Sequence, residues 1–123
     1  MPADTKPTIL VCDDEEGIRE SFKLILADQY NLKFATNGLE AIEILKTLSP
    51  DAMLLDIKMP KQHGMEILKQ IKKLKPKLPV IIVTGYQSVE MAQEALKNGA
   101  CNYIPKPFES KQILQSVAKA LNN

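Results

Sequence analysis

The chain reads as an α/β protein, a (βα)5 doubly wound sheet of five parallel strands. Three observations predict that class. Apolar runs alternate with segments of 3.6-residue spacing five times along the 123 residues. The runs are period-2 or continuously apolar, and the continuous ones have the pattern of parallel strands buried on both faces. Right-handed crossovers between parallel strands then lay helices against both faces of the sheet.

The first strand is expected at Thr8 to Cys12, followed by a helix near Glu15 to Ala27 with Ile18, Phe22 and Ile25 on one side. Leu32 to Ala35 gives the second strand, and the helix after Asn37 carries Ala41, Ile42, Leu45 and Leu48. The third strand, Ala52 to Leu55, precedes a helix from Gly64 to Leu74 with Ile67, Leu68 and Ile71. Val80 to Val83 forms the fourth strand, before a helix from Ser88 to Asn98 with Ala92, Ala95 and Leu96. Asn102 to Ile104 is the fifth, and the last helix, Ser110 to Leu121, carries Ile113, Val117 and Leu121. Asn37 with Glu40 reads as an N-cap followed by a Glu that reaches back. Ser49-Pro50, Lys75-Pro76 and Asn98-Gly99 end the second, third and fourth helices.

Composition limits the function. An apolar share of 45% and a charged share of 25% are those of an ordinary soluble globular protein. A length of 123 residues suits one domain, with no room for a second of ordinary size. Sixteen Lys and Arg against fifteen Asp and Glu leave a net charge of +1. That balance excludes a general binder of phosphate backbones, so no direct nucleic-acid partner is expected. Val80-Ile81-Ile82-Val83, the longest aliphatic stretch, is too short to cross a bilayer. Met1-Pro2-Ala3-Asp4-Thr5 lacks the apolar core of a signal peptide, so a cytoplasmic location is expected. Cys12 and Cys101 make neither a disulfide framework nor a CxxC metal site, and both are expected as small buried hydrophobes.

In a doubly wound sheet the ligand site lies outside the carboxyl ends of the strands. Those ends carry Asp13 and Asp14 after the first strand, Asp56 after the third, Thr84 after the fourth and Lys106-Pro107 after the fifth. No Gly-rich phosphate loop is present, which disfavours nucleotide binding. Three carboxylates make a hard-oxygen cluster suited to Mg²⁺, which keeps several waters and prefers a few carboxylates plus phosphate oxygens. Without a cation they repel and raise one another's pKa. A central Asp can act as nucleophile and form an aspartyl phosphate. Mg²⁺, Lys106 and the Thr84 hydroxyl would then each take one side of the phosphoryl group.

With those residues in place the sequence resembles the receiver domains of bacterial two-component response regulators, the CheY-like fold. The resemblance is carried by the pair Asp13-Asp14, by Asp56-Ile57-Lys58-Met59-Pro60 with Gly64 after it, by Val83-Thr84-Gly85 and by Tyr103-Ile104-Pro105-Lys106-Pro107-Phe108. It covers essentially the entire chain, so a receiver domain is expected over residues 1–123 with an ordered core at 7–121.

The resemblance implies the strand order 2-1-3-4-5 and a phosphoacceptor role for Asp56, supplied by a sensor histidine kinase or phosphotransfer protein. It implies that Asp13 and Asp14 hold Mg²⁺ or Mn²⁺ together with Asp56 and the Lys58 carbonyl. Lys106 would pair with Asp56 before transfer and with the phosphoryl oxygens afterwards. Thr84 and Tyr103 would be the switch pair, altering the face of helix 4, strand 5 and helix 5 that meets an output domain or effector. A phosphorylation-dependent dimer is among the partnerships it admits. The Lys106-Pro107 bond is expected to be cis. Lys58 and Tyr86 stand at the two positions that tune phosphoryl lifetime in this family, and their bulk predicts a lifetime of minutes or longer. The module would catalyse only its own phosphorylation and slow autodephosphorylation, so it is not expected to be an enzyme toward external metabolites. Ser88-Val89-Glu90-Met91-Ala92-Gln93-Glu94-Ala95 through Gly99-Ala100 is similar to receivers of NtrC-type transcription regulators, which points to a longer regulator as its context.

Other readings stay open. Asp13 with Glu16 also fits a D-x-x-E helix cap. A small phosphohydrolase of the haloacid-dehalogenase type also uses an Asp nucleophile with Mg²⁺, but wants a second Asp two residues later, where this chain has Lys58. A receiver-like module that binds partners without phosphate is the third class, although no expected site residue is missing. His63 lies in a loop and has no metal partners in the pattern. Lys69, Lys72, Lys73, Lys75 and Lys77 read as a solvated helix end that complements the dipole.

Overall fold

The continuous apolar runs become one parallel sheet. The computed structural model describes residues 6–58 and 64–122, so Met59, Pro60 and His63 of the sequence reading lie outside the described residues. Its elements are β1 (Thr8–Cys12), α1 (Glu16–Leu26), β2 (Asn31–Ala35), α2 (Gly38–Leu45), β3 (Ala52–Leu55), α3 (Gly64–Leu74), β4 (Val80–Thr84), α4 (Val89–Lys97), β5 (Asn102–Pro105) and α5 (Ser110–Leu121). The strand order is β2-β1-β3-β4-β5, as expected.

Alternate side chains of each strand point to opposite faces, and both faces are covered. Ile9, Val11, Leu54, Ile81 and Val83 pack with Phe22 and Leu26 of α1 and Ile113 and Val117 of α5. Leu10, Met53, Leu55 and Ile82 pack with Ala41 and Leu45 of α2, Ile67, Leu68 and Ile71 of α3 and Ala95 of α4. That two-sided burial is why the central strands β1, β3 and β4 lack a polar alternation.

The punctuation mostly acts as read. Gly99 (φ 106°) ends α4, with Gly99 N–H donating to Leu96 and Ala100 N–H to Ala95, the double bond of a Schellman stop. Asn37 caps α2 by accepting from the Glu40 N–H at 2.9 Å. Glu40 reaches back one residue further than expected and accepts from Thr36 N–H instead, at 2.6 Å. Helix α2 ends at Leu45, well before Ser49-Pro50, with Leu48 in the turn that follows.

Four expectations need correction. Cys12 is buried, but Cys101 is exposed, because it precedes an edge strand and has no neighbour beyond it. Leu96 is also exposed, since only Ala95 of α4 is buried. Asp13 does not cap α1; Glu15 occupies that position, and its side chain makes no capping bond. The lysine run is not wholly solvated. Lys72 Nζ donates to the Leu78 carbonyl at 2.7 Å, and its stem lies against Gly99, where a Cβ would sit 3.0 Å from Lys72 Cε.

Candidate functional site

Register places the charged residues. Cys12 lies opposite Leu55 in the β1–β3 pair, so the next residues, Asp13 and Asp56, leave the sheet side by side. Thr84 lies opposite Pro105 at the end of the β4–β5 pair, so Lys106 leaves the edge strand just beyond it. Its main chain is fixed there, since its N–H donates to the Thr84 carbonyl at 2.8 Å and its carbonyl accepts from Gln87 Nε2 at 2.8 Å. The peptide bond to Pro107 is cis. Phe108 then stacks on Phe22 at 5.1 Å, tying this segment to α1.

From β5 the long Lys106 side chain turns back across β4 to the centre of the sheet. Its ammonium sits 2.9 Å from Asp13 Oδ2, 2.9 Å from Asp56 Oδ2 and 3.0 Å from Glu15 Oε1. The second oxygens of the two aspartates are held by main chain. Asp13 Oδ1 accepts from the Glu15 N–H at 2.9 Å and Asp56 Oδ1 from the Lys58 N–H at 2.8 Å. Gly64 packs directly against Ile57. A Cβ there would lie 2.5 Å from the Ile57 Cα, so only glycine lets α3 start against the residue that follows Asp56.

Burial and charge work against each other here. Asp13 is 1% and Asp56 3% exposed. Burial pushes the Asp13 carboxyl above its ordinary range, and the Lys106 hydrogen bond returns only part of this. That ammonium is shared among three carboxylates. Burial alone would lower Lys106, but its hydrogen bonds to Asp13, Asp56 and Glu15 outweigh it and hold the amine protonated above the usual lysine range. Burial, then Asp13 and Asp56, push the Cys12 thiol up to about 12. It is therefore neither a nucleophile nor a thiolate ligand at neutral pH.

Oxygen atoms of Asp13, Asp14, Glu15 and Asp56 all lie within 4.8 Å of one another. Three of the four carboxylates share the Lys106 ammonium, Asp14 stands beside them without it, and every donor is a hard oxygen. That set fits a divalent cation of the Mg²⁺ type and not a soft metal.

The remaining expected residues form a second group beside the first. Thr84 is fully buried. Its Oγ1 accepts a long, 3.4 Å bond from the Tyr86 N–H, while the Tyr103 hydroxyl donates to the Tyr86 carbonyl at 2.7 Å. The Tyr86 main chain thus joins the two. Burial, then the negative charge of Asp56, raise the Tyr103 phenol. Lys58 Nζ lies 5.5 Å from the centre of the Tyr86 ring, a cation–π pair that spans the β3 and β4 ends.

Residues 9–118 match the response regulator receiver domain family. The chain belongs to that family. Among curated relatives it is 36% identical to the response regulator MprA of Mycobacterium ulcerans over 107 residues, 86% of this chain and 46% of MprA. It is 37% identical to the regulatory protein AtoC of Escherichia coli over 114 residues, 92% of this chain and 25% of AtoC. The chain therefore spans less than half the length of these relatives. A CheY-like receiver domain protein from Methanospirillum hungatei superposes with a TM-score of 0.90 at 33% identity, covering 96% of this chain and 95% of that one.

Receiver domains bind Mg²⁺ through an acidic cluster, and this receiver has one in Asp13, Asp14 and Asp56. Sequence reasoning found every member of the two groups except Glu15. Its only signal in the sequence is a third consecutive acid after Asp13-Asp14, which is equally the pattern of a helix start.

Proposed function

We propose that this receiver accepts a phosphoryl group on Asp56 from the phosphohistidine of a sensor kinase or phosphotransfer protein, in a Mg²⁺-dependent reaction. One observation carries the reading. Asp56 is a buried carboxylate, hydrogen-bonded by the Lys58 N–H and Lys106 and set within a carboxylate cluster. In the transfer, an Asp56 oxygen forms the new P–O bond while the P–N bond to the kinase imidazole breaks. The electron pair of that bond stays on the ring nitrogen. Lys106, paired with Asp56 before transfer, donates to a phosphoryl oxygen once the group is in place. Asp13 and Asp14 would hold Mg²⁺, one directly and one through water, with the Lys58 carbonyl completing the protein ligands. When bound, the ion neutralises charge on the phosphoryl oxygens.

Thr84 and Tyr103 are the switch pair in this reading. The Thr84 hydroxyl gives up only a long bond from Tyr86 when it turns toward the phosphoryl group, and Tyr103 then leaves the Tyr86 carbonyl and swings inward. The signal passes to the face of α4, β5 and α5. Val89 (66% exposed) and Leu96 (48%) of α4 give that face apolar surface for an output domain, an effector or a second receiver. Such a module works in the cytoplasm on its own aspartate and not on an external metabolite. The paired side chains of Lys58 and Tyr86 hinder attacking water and give a phosphoryl lifetime of minutes or longer. A Lys58→Asn, Tyr86→Glu double variant that loses its phosphoryl group no faster would contradict that lifetime.

The test uses acetyl phosphate with Mg²⁺ and maps the adduct by mass spectrometry. The expected result is one acid-labile phosphoryl group on Asp56, lost with chelation and in Asp56→Asn. Modification elsewhere, or an Asp56→Asn variant that still incorporates phosphate, would overturn the proposal.

A further inference from the structure

Glu15 lies outside the residue set that identifies the family, yet it occupies the ammonium on which transfer depends. A lysine ammonium has three protons, and here all three are taken, by Asp13, Asp56 and Glu15. To meet a phosphoryl oxygen, Lys106 must release one partner. Asp13 and Asp56 are buried, and each is also anchored by a main-chain N–H. Glu15 is different. Its side chain is 61% exposed, on a flexible stem, and makes no capping bond to its own helix. Returning it to water leaves no buried charge unpaired, whereas releasing either aspartate would.

We infer that Glu15 is a positioning residue: a displaceable counter-ion that holds Lys106 at the site and competes with the incoming phosphoryl group for it. The inference rests on the Asp56 reading. Before transfer, Glu15 fills the third donor position of Lys106. During transfer, a phosphoryl oxygen takes that position and the Glu15 carboxylate turns into solvent. Glu15 therefore slows phosphorylation and weakens phosphoryl mimics, while contributing little to hydrolysis, because it has already left when the phosphoryl group is in place.

The experiment compares wild type, Glu15→Gln and Glu16→Gln with acetyl phosphate and, separately, with beryllofluoride, all with saturating Mg²⁺. Glu16 is the control, an exposed neighbouring acid that is not a Lys106 partner. Glu15→Gln should be phosphorylated about two- to fivefold faster and bind beryllofluoride tighter by a similar factor, the range that one exposed ion pair is worth. Its hydrolysis rate should match wild type, and Glu16→Gln should not differ from wild type. At about one molar salt, where screening reaches roughly 3 Å, the wild-type rate should approach that of Glu15→Gln. Equal or slower phosphorylation of Glu15→Gln overturns the inference, as does an equal gain in Glu16→Gln, which would mean general charge repulsion. A more than tenfold loss of Mg²⁺ affinity in Glu15→Gln also overturns it, by making Glu15 a metal ligand. If Asp56 of the wild type is phosphorylated and the variant is unchanged, only the role of Glu15 fails. If Asp56 is never phosphorylated, both readings fail.

Discussion

The two ends of the sheet solve opposite problems with the same strands. At the amino ends the main chain closes on itself. Asn31 N–H donates to the Pro7 carbonyl at 2.9 Å, Asp51 N–H to Thr8 at 2.7 Å and Met53 N–H to Pro79 at 2.9 Å. The Asp51 carboxylate returns a bond to the Thr8 N–H at 2.8 Å. At the carboxyl ends the polar groups are charged side chains, and two of the carboxylates are buried around a shared ammonium. One end is satisfied mainly by main-chain pairs, with the Asp51 carboxylate as a charged acceptor. The other gathers three carboxylates around the Lys106 ammonium. In the proposed function, the response to a cation or a phosphoryl group belongs to the second.

Substitutions at the two ends should separate these roles. The largest effect belongs to the core that both share. Leu54→Ala, at a side chain packed between α1 and α5, should cost about 2–5 kcal/mol in denaturant melts. It should leave the stabilisation by Mg²⁺ unchanged, because the cation meets only the strand ends. Next comes the cation. Mg²⁺ at about 100 times its dissociation constant should stabilise the wild type by about 2.7 kcal/mol. Asp14→Asn, at an exposed member of the cluster, should lose most of that gain in the same melts while remaining folded. The smallest effect is expected at the amino ends. Asp51→Ala removes the bond to Thr8 and should cost about 0.5–1.5 kcal/mol, with no change in the response to Mg²⁺. An Asp51 variant that altered the Mg²⁺ response would break the division between the ends.

Most of the fold was legible because its signals are local. The continuous runs Thr8–Cys12 and Ala52–Leu55 and the 3.6-spaced helices Gly64–Leu74 and Ser110–Leu121 stand where the pattern puts them. Beyond local shifts at the ends of α1 and α2, the misses depend on what lies across the fold. Cys101 and Leu96 look apolar in sequence, but their exposure follows from β5 being an edge strand and α4 burying only Ala95. Lys72 looks like one of several surface lysines, yet the Leu78 carbonyl and the Gly99 turn hold it. Asp13, Asp14, Asp56, Thr84 and Lys106 were legible as a set because strand ends in a parallel sheet converge by rule. Glu15 was not, because only the folded path of the Lys106 side chain across β4 brings its partner to it.

The most direct test is a two-dimensional amide NMR titration with beryllofluoride in the presence and absence of Mg²⁺. With Mg²⁺, the expected result is large shifts at Asp13, Lys58, Thr84, Tyr103 and Lys106, smaller ones along α4 and none at Thr8, Asp51 or Val80. Without Mg²⁺ the spectrum should not change. Shifts that do not require Mg²⁺, or that are as large at the amino ends of the strands as at the carboxyl ends, would contradict a phosphoryl site at Asp56.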